Sequence, residues 1–300
     1  MEQINCVNEN KRSVVAVGNF DGVHNGHRLV FLKTIEIAAT ENLNSVVLTF
    51  IPHPRNYFDT SHPVGIITDD DYKAQLIRDI GIDTVFFQQF DAEFASMNCI
   101  QFVEYLQNKL LCSHIVCGEG SKFGNHAAYG TDDLEAECSK HKMKLSTVKL
   151  DPSYSSSLIR EAIVNGNVKK ATELMGRPFS FASEVINGKK LGSSIGFPTV
   201  NQKLDHDSVI PRFGVYSGYI DIDGERHKCI VNIGCRPTVN NDKTDVDCET
   251  FIFDFSGDLY GKKPRVFLTS FIRDEKKFPN ISDLREQIKN DCRFVVENDI

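Results

Sequence analysis

The run Val14-Val15-Ala16-Val17-Gly18-Asn19-Phe20-Asp21-Gly22-Val23-His24-Asn25-Gly26-His27 constrains this chain most, because an apolar segment passes into a glycine-punctuated turn that ends in H-x-G-H. Four small β-favouring residues predict a buried strand. Gly18, Gly22 and Gly26 let backbone approach a ligand, and Leu29, Leu32 and Ile35 follow at helical spacing. A helix N-terminus at this point aims N–H groups and positive dipole at phosphate. His24 and His27 can then hydrogen-bond the charge that develops on a transferring phosphorus. Asn19 and Asp21 are candidates to orient the loop or a metal. In isolation H-x-G-H is more often two unrelated surface histidines on a glycine loop. Here residues 45–50 supply a return strand, which places the motif at the carboxyl end of the first strand of a βαβ unit, where open α/β sheets bind ligands.

Up to about residue 178 the alternation continues. Short apolar runs at 84–87, 114–117 and 145–150 read as strands, and 69–80, 98–111 and 131–141 read as helices with Asn98 and Thr131 as candidate N-caps. This pattern predicts a parallel sheet with helices on both faces. After Gly176-Arg177-Pro178 the texture changes. Strand-like runs at 215–222, 228–233, 249–255 and 265–272, separated by turn formers such as Asp223-Gly224, predict an antiparallel β-barrel. Residues 281–297 place Leu284, Ile288, Phe294 and Val295 on one helical face, predicting a C-terminal helix packed on it. The expected domains are therefore 1–178 and 179–300, two being the prior for 300 residues.

A net charge of −7 with no basic stripe argues against a nucleic-acid or anionic-membrane surface. Phosphates must be met by local devices. The polar start and the lack of any run of membrane-spanning length make the cytoplasm the expected location. Nine cysteines without a C-x-x-C pair predict neither a disulfide framework nor a zinc site.

A second glycine-rich segment, Gly188-Lys189-Lys190-Leu191-Gly192-Ser193-Ser194-Ile195-Gly196, runs into Phe197-Pro198-Thr199-Val200-Asn201. Glycines that expose N–H groups make an anion nest. A hydroxyl and a carboxamide two residues apart on an extended strand share one face and can offer oxygens to Mg²⁺, so the segment is a candidate Mg-ATP site. Taken by itself it fits a flexible hairpin as well.

The loop G-N-F-D-G-V-H-N-G-H resembles the first motif of the bacterial riboflavin kinase/FAD synthetase family. The resemblance continues through Asn232-Ile233-Gly234-Cys235-Arg236-Pro237-Thr238, Cys248-Glu249-Thr250-Phe251-Ile252-Phe253-Asp254-Phe255, Asp258-Leu259-Tyr260-Gly261, Phe271-Ile272-Arg273 and Lys277-Phe278, in the family's order. It implies a Rossmann-like nucleotidyltransferase domain followed by a riboflavin kinase barrel. By resemblance, Gly18, Asn19, Phe20, Asp21, Gly22 and Gly26 bind ATP while His24 and His27 act on the adenylyl phosphorus. Gly188, Gly192, Gly196 and Thr199 bind the second ATP, and Thr199 and Asn201 hold Mg²⁺. Glu249 is the base for the ribityl 5′-hydroxyl, a role that suits a carboxylate beside a weakly nucleophilic alcohol. Arg273 and Asp254 are implied to be flavin contacts. Ser155-Ser156-Ser157-Leu158-Ile159-Arg160 resembles the family's S-S-T-x-x-R, giving Ser156, Ser157 and Arg160 as further nucleotide contacts. His53, between prolines, either faces nucleotide or only shapes its loop.

One segment departs from the family. Gly118-Glu119-Gly120-Ser121-Lys122-Phe123-Gly124 has Gly120 and Ser121 where an Asn or Asp and an aromatic are usual. The expected chemistry is phosphorylation of riboflavin by ATP to FMN, then adenylylation of FMN by ATP to FAD with release of pyrophosphate. The departure keeps open a riboflavin kinase with a degenerate adenylyltransferase domain. A non-enzymatic flavin sensor is the rival from another class, and retention of Thr199, Asn201 and Glu249 together favours chemistry. The oligomeric state is left open.

Overall fold

The computed structural model describes residues 11–188, 192, 195–235 and 246–298. Lys189, Lys190, Leu191, Ser193, Ser194 and the Arg236-Pro237-Thr238 run lie outside them. The chain forms two compact units, 1–155 and 156–300.

The first unit contains β1 (Ser13–Val17), α1 (Asn25–Glu41), β2 (Asn44–Ile51), α2 (Pro54–Phe58), α3 (Asp70–Ile80), β3 (Thr84–Gln89), α4 (Ala92–Ser96), α5 (Cys99–Leu110), β4 (Cys112–Gly118), α6 (Thr131–Lys140) and β5 (Lys144–Val148). The strands are all parallel in the order β3-β2-β1-β4-β5. β1 is buried along its whole length, and its alternate residues feed two cores. Val15 and Val17 pack with Phe102, Val103, Leu106 and Leu134 of α5 and α6. Val14 and Ala16 pack with Val30, Phe31 and Ile77 of α1 and α3. A strand buried on both faces reads as an unbroken apolar run, which is why Val14–Val17 lacks polar alternation. Strand order reverses between β1 and β4, so the loops after them open into a topological switch point.

Caps explain several boundaries. Asn98 caps α5 through Gln101 in a reciprocal capping box. Thr131, expected as a cap, is the first helical residue. Gly130 holds the cap position, and its N–H donates to the Asp133 carboxylate at 2.8 Å.

The second unit opens with α7 (Ser156–Val164) and α8 (Val168–Met175), then β6 (Phe179–Ala182), β7 (Thr199–Lys203), β8 (Gly214–Ile222), β9 (Glu225–Cys235), β10 (Val246–Ile252), β11 (Arg265–Arg273) and α9 (Ile281–Glu297). Its antiparallel sheet runs β6-β11-β8-β9-β10-β7. The change of texture at 178 is real, but the two helices before it group with this sheet. They carry buried Ile159, Ile163, Ala171 and Leu174 on amphipathic faces, and the contacts place the division at 155/156. On α9, Val295 is buried against Val215 and Ile230, whereas Phe294, expected on the same face, is exposed.

Candidate active sites

In the histidine loop, Phe20 and Val23 adopt left-handed backbone (φ 49° and 39°), conformations that bulky and β-branched residues rarely hold. Each glycine has its own reason. A Cβ on Gly18 would stand 2.8 Å from the Phe20 ring, Gly22 has φ +85°, and a Cβ on Gly26 would press the His24 imidazole at 3.0 Å. That imidazole is the N-cap of α1: its Nδ1 accepts from the His27 N–H at 3.3 Å, so the other ring nitrogen, Nε2, carries its proton. One N–H of the helix terminus is thereby used internally. The two imidazoles stack, with centroids 3.5 Å apart, and Phe20 meets His27 edge-on at 5.2 Å. His24 and His27 therefore form one rigid donor unit at the carboxyl end of β1.

Two members of the loop have other work. Asp21, expected at the nucleotide, is buried and accepts from the backbone N–H groups of Ile67 and Thr68 at 3.0–3.2 Å; it ties the loop to the 67–68 segment. Phe20, expected as a nucleotide contact, is a core residue packed on Phe31 and backing His27. Physically, the loop can present its backbone and imidazoles only if something apolar holds it from beneath. His53 caps α2 by accepting from the Arg55 N–H at 3.2 Å, a loop-shaping role.

Beside this loop lies a cavity of about 330 Å³ that the sequence reading missed. Gly18 and Asn19 form one edge, and its walls include Phe50, Phe58, Phe90, Phe94, Phe102 and Phe123. Phe94 makes edge or tilted contacts with Phe50, Phe90 and Phe102, and Phe102 stacks on Phe123 at 5.7 Å. The only sequence signal was an abundance of phenylalanine, 21 residues, because the rings come from the end of one strand, from three helices and from the loops after β3 and β4. Ser121 and Lys122 also line it, so the departure segment is part of this wall. Gly120 has φ +76° with nothing within 4 Å of the position a Cβ would take.

Ser156, Ser157 and Arg160 stand in the first turns of α7, and the contacts group that helix with the second unit.

In the second unit, sheet register assembles a site from residues distant in sequence. Glu249 of β10 pairs with Asn201 of β7 on one side and with Asn232 of β9 on the other. Phe251 pairs with Thr199, Asn232 with Val215 of β8, and Val215 with Arg273 of β11. All except Asn201 line one cavity of about 310 Å³, together with Gly192, Phe197, Phe278 and, from α9, Leu284, Ile288 and Asp291. Asn201 is buried behind Gly188: its Nδ2 faces the Thr199 carbonyl at 3.5 Å, and its Oδ1 has no hydrogen-bond partner. An acceptor left open in a buried carboxamide is a donor atom for a hard cation. Gly188 and Gly192 make the cradle, since a Cβ would stand 2.4 Å from the Asn201 carboxamide at the first and 2.3 Å from the Phe197 carbonyl at the second. Gly196 is required for conformation instead, with φ +88° and open space around it. The residues thus fit a divalent ion.

Arg273 lines this cavity while its guanidinium is held by Asp291 of α9, with Nε at 3.0–3.1 Å and Nη2 at 2.7 Å, and Gln287 braces the same carboxylate at 2.9 Å. The sequence reading named Arg273 but not its partner 18 residues on. Asp254, expected as a flavin contact, is exposed in the turn after β10 with φ +51° and does not line the cavity. The turn that follows β10 carries it beyond the strand row.

Burial pushes the thiols of Cys117 and Cys292 up to about 11 and that of Cys138 to about 12, well away from the reactive thiolate range.

A Rossmann-like unit with an imidazole-bearing loop at its switch point, followed by an antiparallel unit with a carboxylate opposite a glycine-cradled carboxamide, defines a two-site transferase acting on nucleotides. Residues 6–159 match the family model described as FAD synthetase, and residues 175–298 the one described as riboflavin kinase. Among curated relatives, the bifunctional riboflavin kinase/FMN adenylyltransferase of Bacillus subtilis (strain 168) is 34% identical across 94% of this chain and 91% of its own length. That of Haemophilus influenzae is 35% identical across 92% and 91%. A solved structure from Streptococcus pneumoniae, described as a macrolide-efflux protein, has a TM-score of 0.86 at 28% identity and covers 99% of this chain and 98% of that one. No described helix of this chain is long and apolar enough to cross a membrane. The chain belongs to the bifunctional riboflavin kinase/FMN adenylyltransferase family.

Proposed function

We propose that Glu249 is the base of the riboflavin kinase and that the stacked pair His24–His27 serves the FMN adenylyltransferase, in a chain that converts riboflavin to FMN and FMN to FAD with two molecules of ATP. The observation that carries the kinase assignment is the register row, which sets Glu249 directly opposite Asn201 and puts Glu249 and Thr199 on one cavity wall although 50 residues separate them. Glu249 lies one strand from Asn201, about 4.8 Å across the sheet. That spacing lets a carboxylate orient the ribityl 5′-hydroxyl and accept its proton as the bond to phosphorus forms. Thr199 and Asn201 are the residues that would hold Mg²⁺, which neutralises charge on the ATP phosphates when bound.

In the first unit, backbone at Gly18, Gly22 and Gly26 makes room for nucleotide phosphate. The imidazoles, fixed by the His24 cap and by Phe20, donate to the adenylyl phosphoryl oxygens without reorganising. The phenylalanine-lined cavity beside Gly18 suits the flat apolar ring of FMN. Ser156, Ser157 and Arg160 are proposed nucleotide contacts on the resemblance alone.

The test is incubation of the purified protein with riboflavin and Mg-ATP, with FMN and FAD separated by chromatography. Glu249→Gln should lower FMN formation about 10²–10⁴-fold, the usual worth of a positioned base, while FAD formation from supplied FMN stays at the parental rate. Parental kinase activity in that variant would overturn the assignment of the base.

A further inference from the structure

We infer that Asn232 is the residue that binds the ribityl chain of riboflavin, hydrogen-bonding one of its secondary hydroxyls while Glu249 takes the terminal one. The inference rests on the reading of Glu249 as the kinase base. It comes from the order of chemistry along the register row, Asn201, Glu249, Asn232, Val215, Arg273, read across five adjacent strands. From Glu249 to Arg273 is three strand spacings, about 14 Å. Along that distance the wall changes from carboxylate to carboxamide to aliphatic to guanidinium.

Riboflavin changes in the same order. A primary hydroxyl ends the chain, secondary hydroxyls follow, then an apolar tricycle, then a polar pyrimidine edge. With the primary hydroxyl at Glu249, the secondary hydroxyls fall over Asn232. The tricycle falls over Val215 and Ile230, under Leu284, Ile288 and Phe278, which line the far side of the same cavity. The opposite orientation would set the apolar ring against the Glu249 carboxylate. Asn232 is half-buried and lines the cavity. A carboxamide is suited to a polyol because it both donates and accepts.

The test compares two substrates in two proteins. One substrate is riboflavin, and the other is a flavin whose side chain is a plain five-carbon alkyl bearing only the terminal hydroxyl. Asn232→Ala should lower kcat/KM for riboflavin about 10- to 100-fold and change it less than about twofold for the alkyl analogue, because the lost partner is already missing. FAD formation from supplied FMN should be unchanged, which reports that the variant is folded. An equal loss on both substrates would overturn the inference and assign Asn232 to holding the Glu249 carboxylate. No loss on riboflavin would show that the contact does not exist. Failure of the underlying base assignment shows separately, as Glu249→Gln retaining kinase activity, since the two-substrate comparison reads only the internal hydroxyls.

Discussion

Gly188→Ala is the sharpest probe of the kinase site, because it adds one methyl group and the structure says where that methyl goes. Gly188 does not occupy left-handed backbone, so alanine is conformationally acceptable and the effect is steric alone. The new Cβ would stand 2.4 Å from Cγ and Nδ2 of Asn201 and 2.5 Å from Oδ1, where ordinary contact begins near 3.4 Å. The carboxamide must therefore retreat by about 1 Å. A misplacement of that size costs on the order of 10²-fold in rate, or about 2.7 kcal/mol of transition-state stabilisation. Stability should suffer less, about 1 kcal/mol, because the displaced atoms end a side chain and the strand need not move. That corresponds to a melting temperature lower by roughly 2–4 °C. The assay is the initial rate of FMN formation from riboflavin with Mg-ATP, set against FAD formation from supplied FMN in the same preparation. The first should fall about 100-fold and the second should hold within twofold. A parental kinase rate would refute the reasoning, since the position of the Asn201 carboxamide would then be irrelevant. Loss of both activities would show that the cradle supports the fold instead of the site.

His27→Ala should remove FAD formation by about 10²–10³-fold and spare FMN formation, the cost of deleting one donor from an anion-stabilising pair; equal damage to both activities with an unchanged melting curve would refute it. The adenylyltransferase should be the slower half, so FMN should accumulate before FAD when riboflavin and excess ATP are supplied; a hydrogen bond and a stacking surface missing at Gly120 and Ser121 correspond to roughly 2–4 kcal/mol. Gly120→Asn with Ser121→Phe should raise the FAD rate, Asn being the residue best able to adopt φ +76° with open space before it, and a parental time course without an FMN lag would remove the premise. Stability should be full above pH 6.5 and decline below it, because burial lowers the pKa of His114 in the fold and the unfolded chain takes up that proton first; in urea titrations from pH 7.5 to 5, His114→Gln should flatten the slope, and an unchanged slope would assign it elsewhere.

Much of the architecture could be read from local pattern because its causes are local. Val14–Val17 had to be a doubly buried strand, the Asn98–Gln101 capping box had to start a helix, and the glycines before Phe197 had to leave backbone open. The H-x-G-H loop and the Thr199-Val200-Asn201 segment were each legible as phosphate or metal chemistry, since the groups lie within one turn or on one strand face. What sequence alone could not place depends on pairing between distant segments. Register decided that Asn232 faces Glu249, and the turn after β10 that Asp254 stays out of the cavity. Sheet order decided that six phenylalanines from separate elements would share one wall, and that Asp21 would spend its carboxylate on the 67–68 backbone. Helix docking decided that Asp291 would hold Arg273, and that 156–175 would join the barrel. Side-chain periodicity reports which face of an element is buried. The partner across that face is set by the free energy of packing the whole chain at once, and only the tertiary structure contains it.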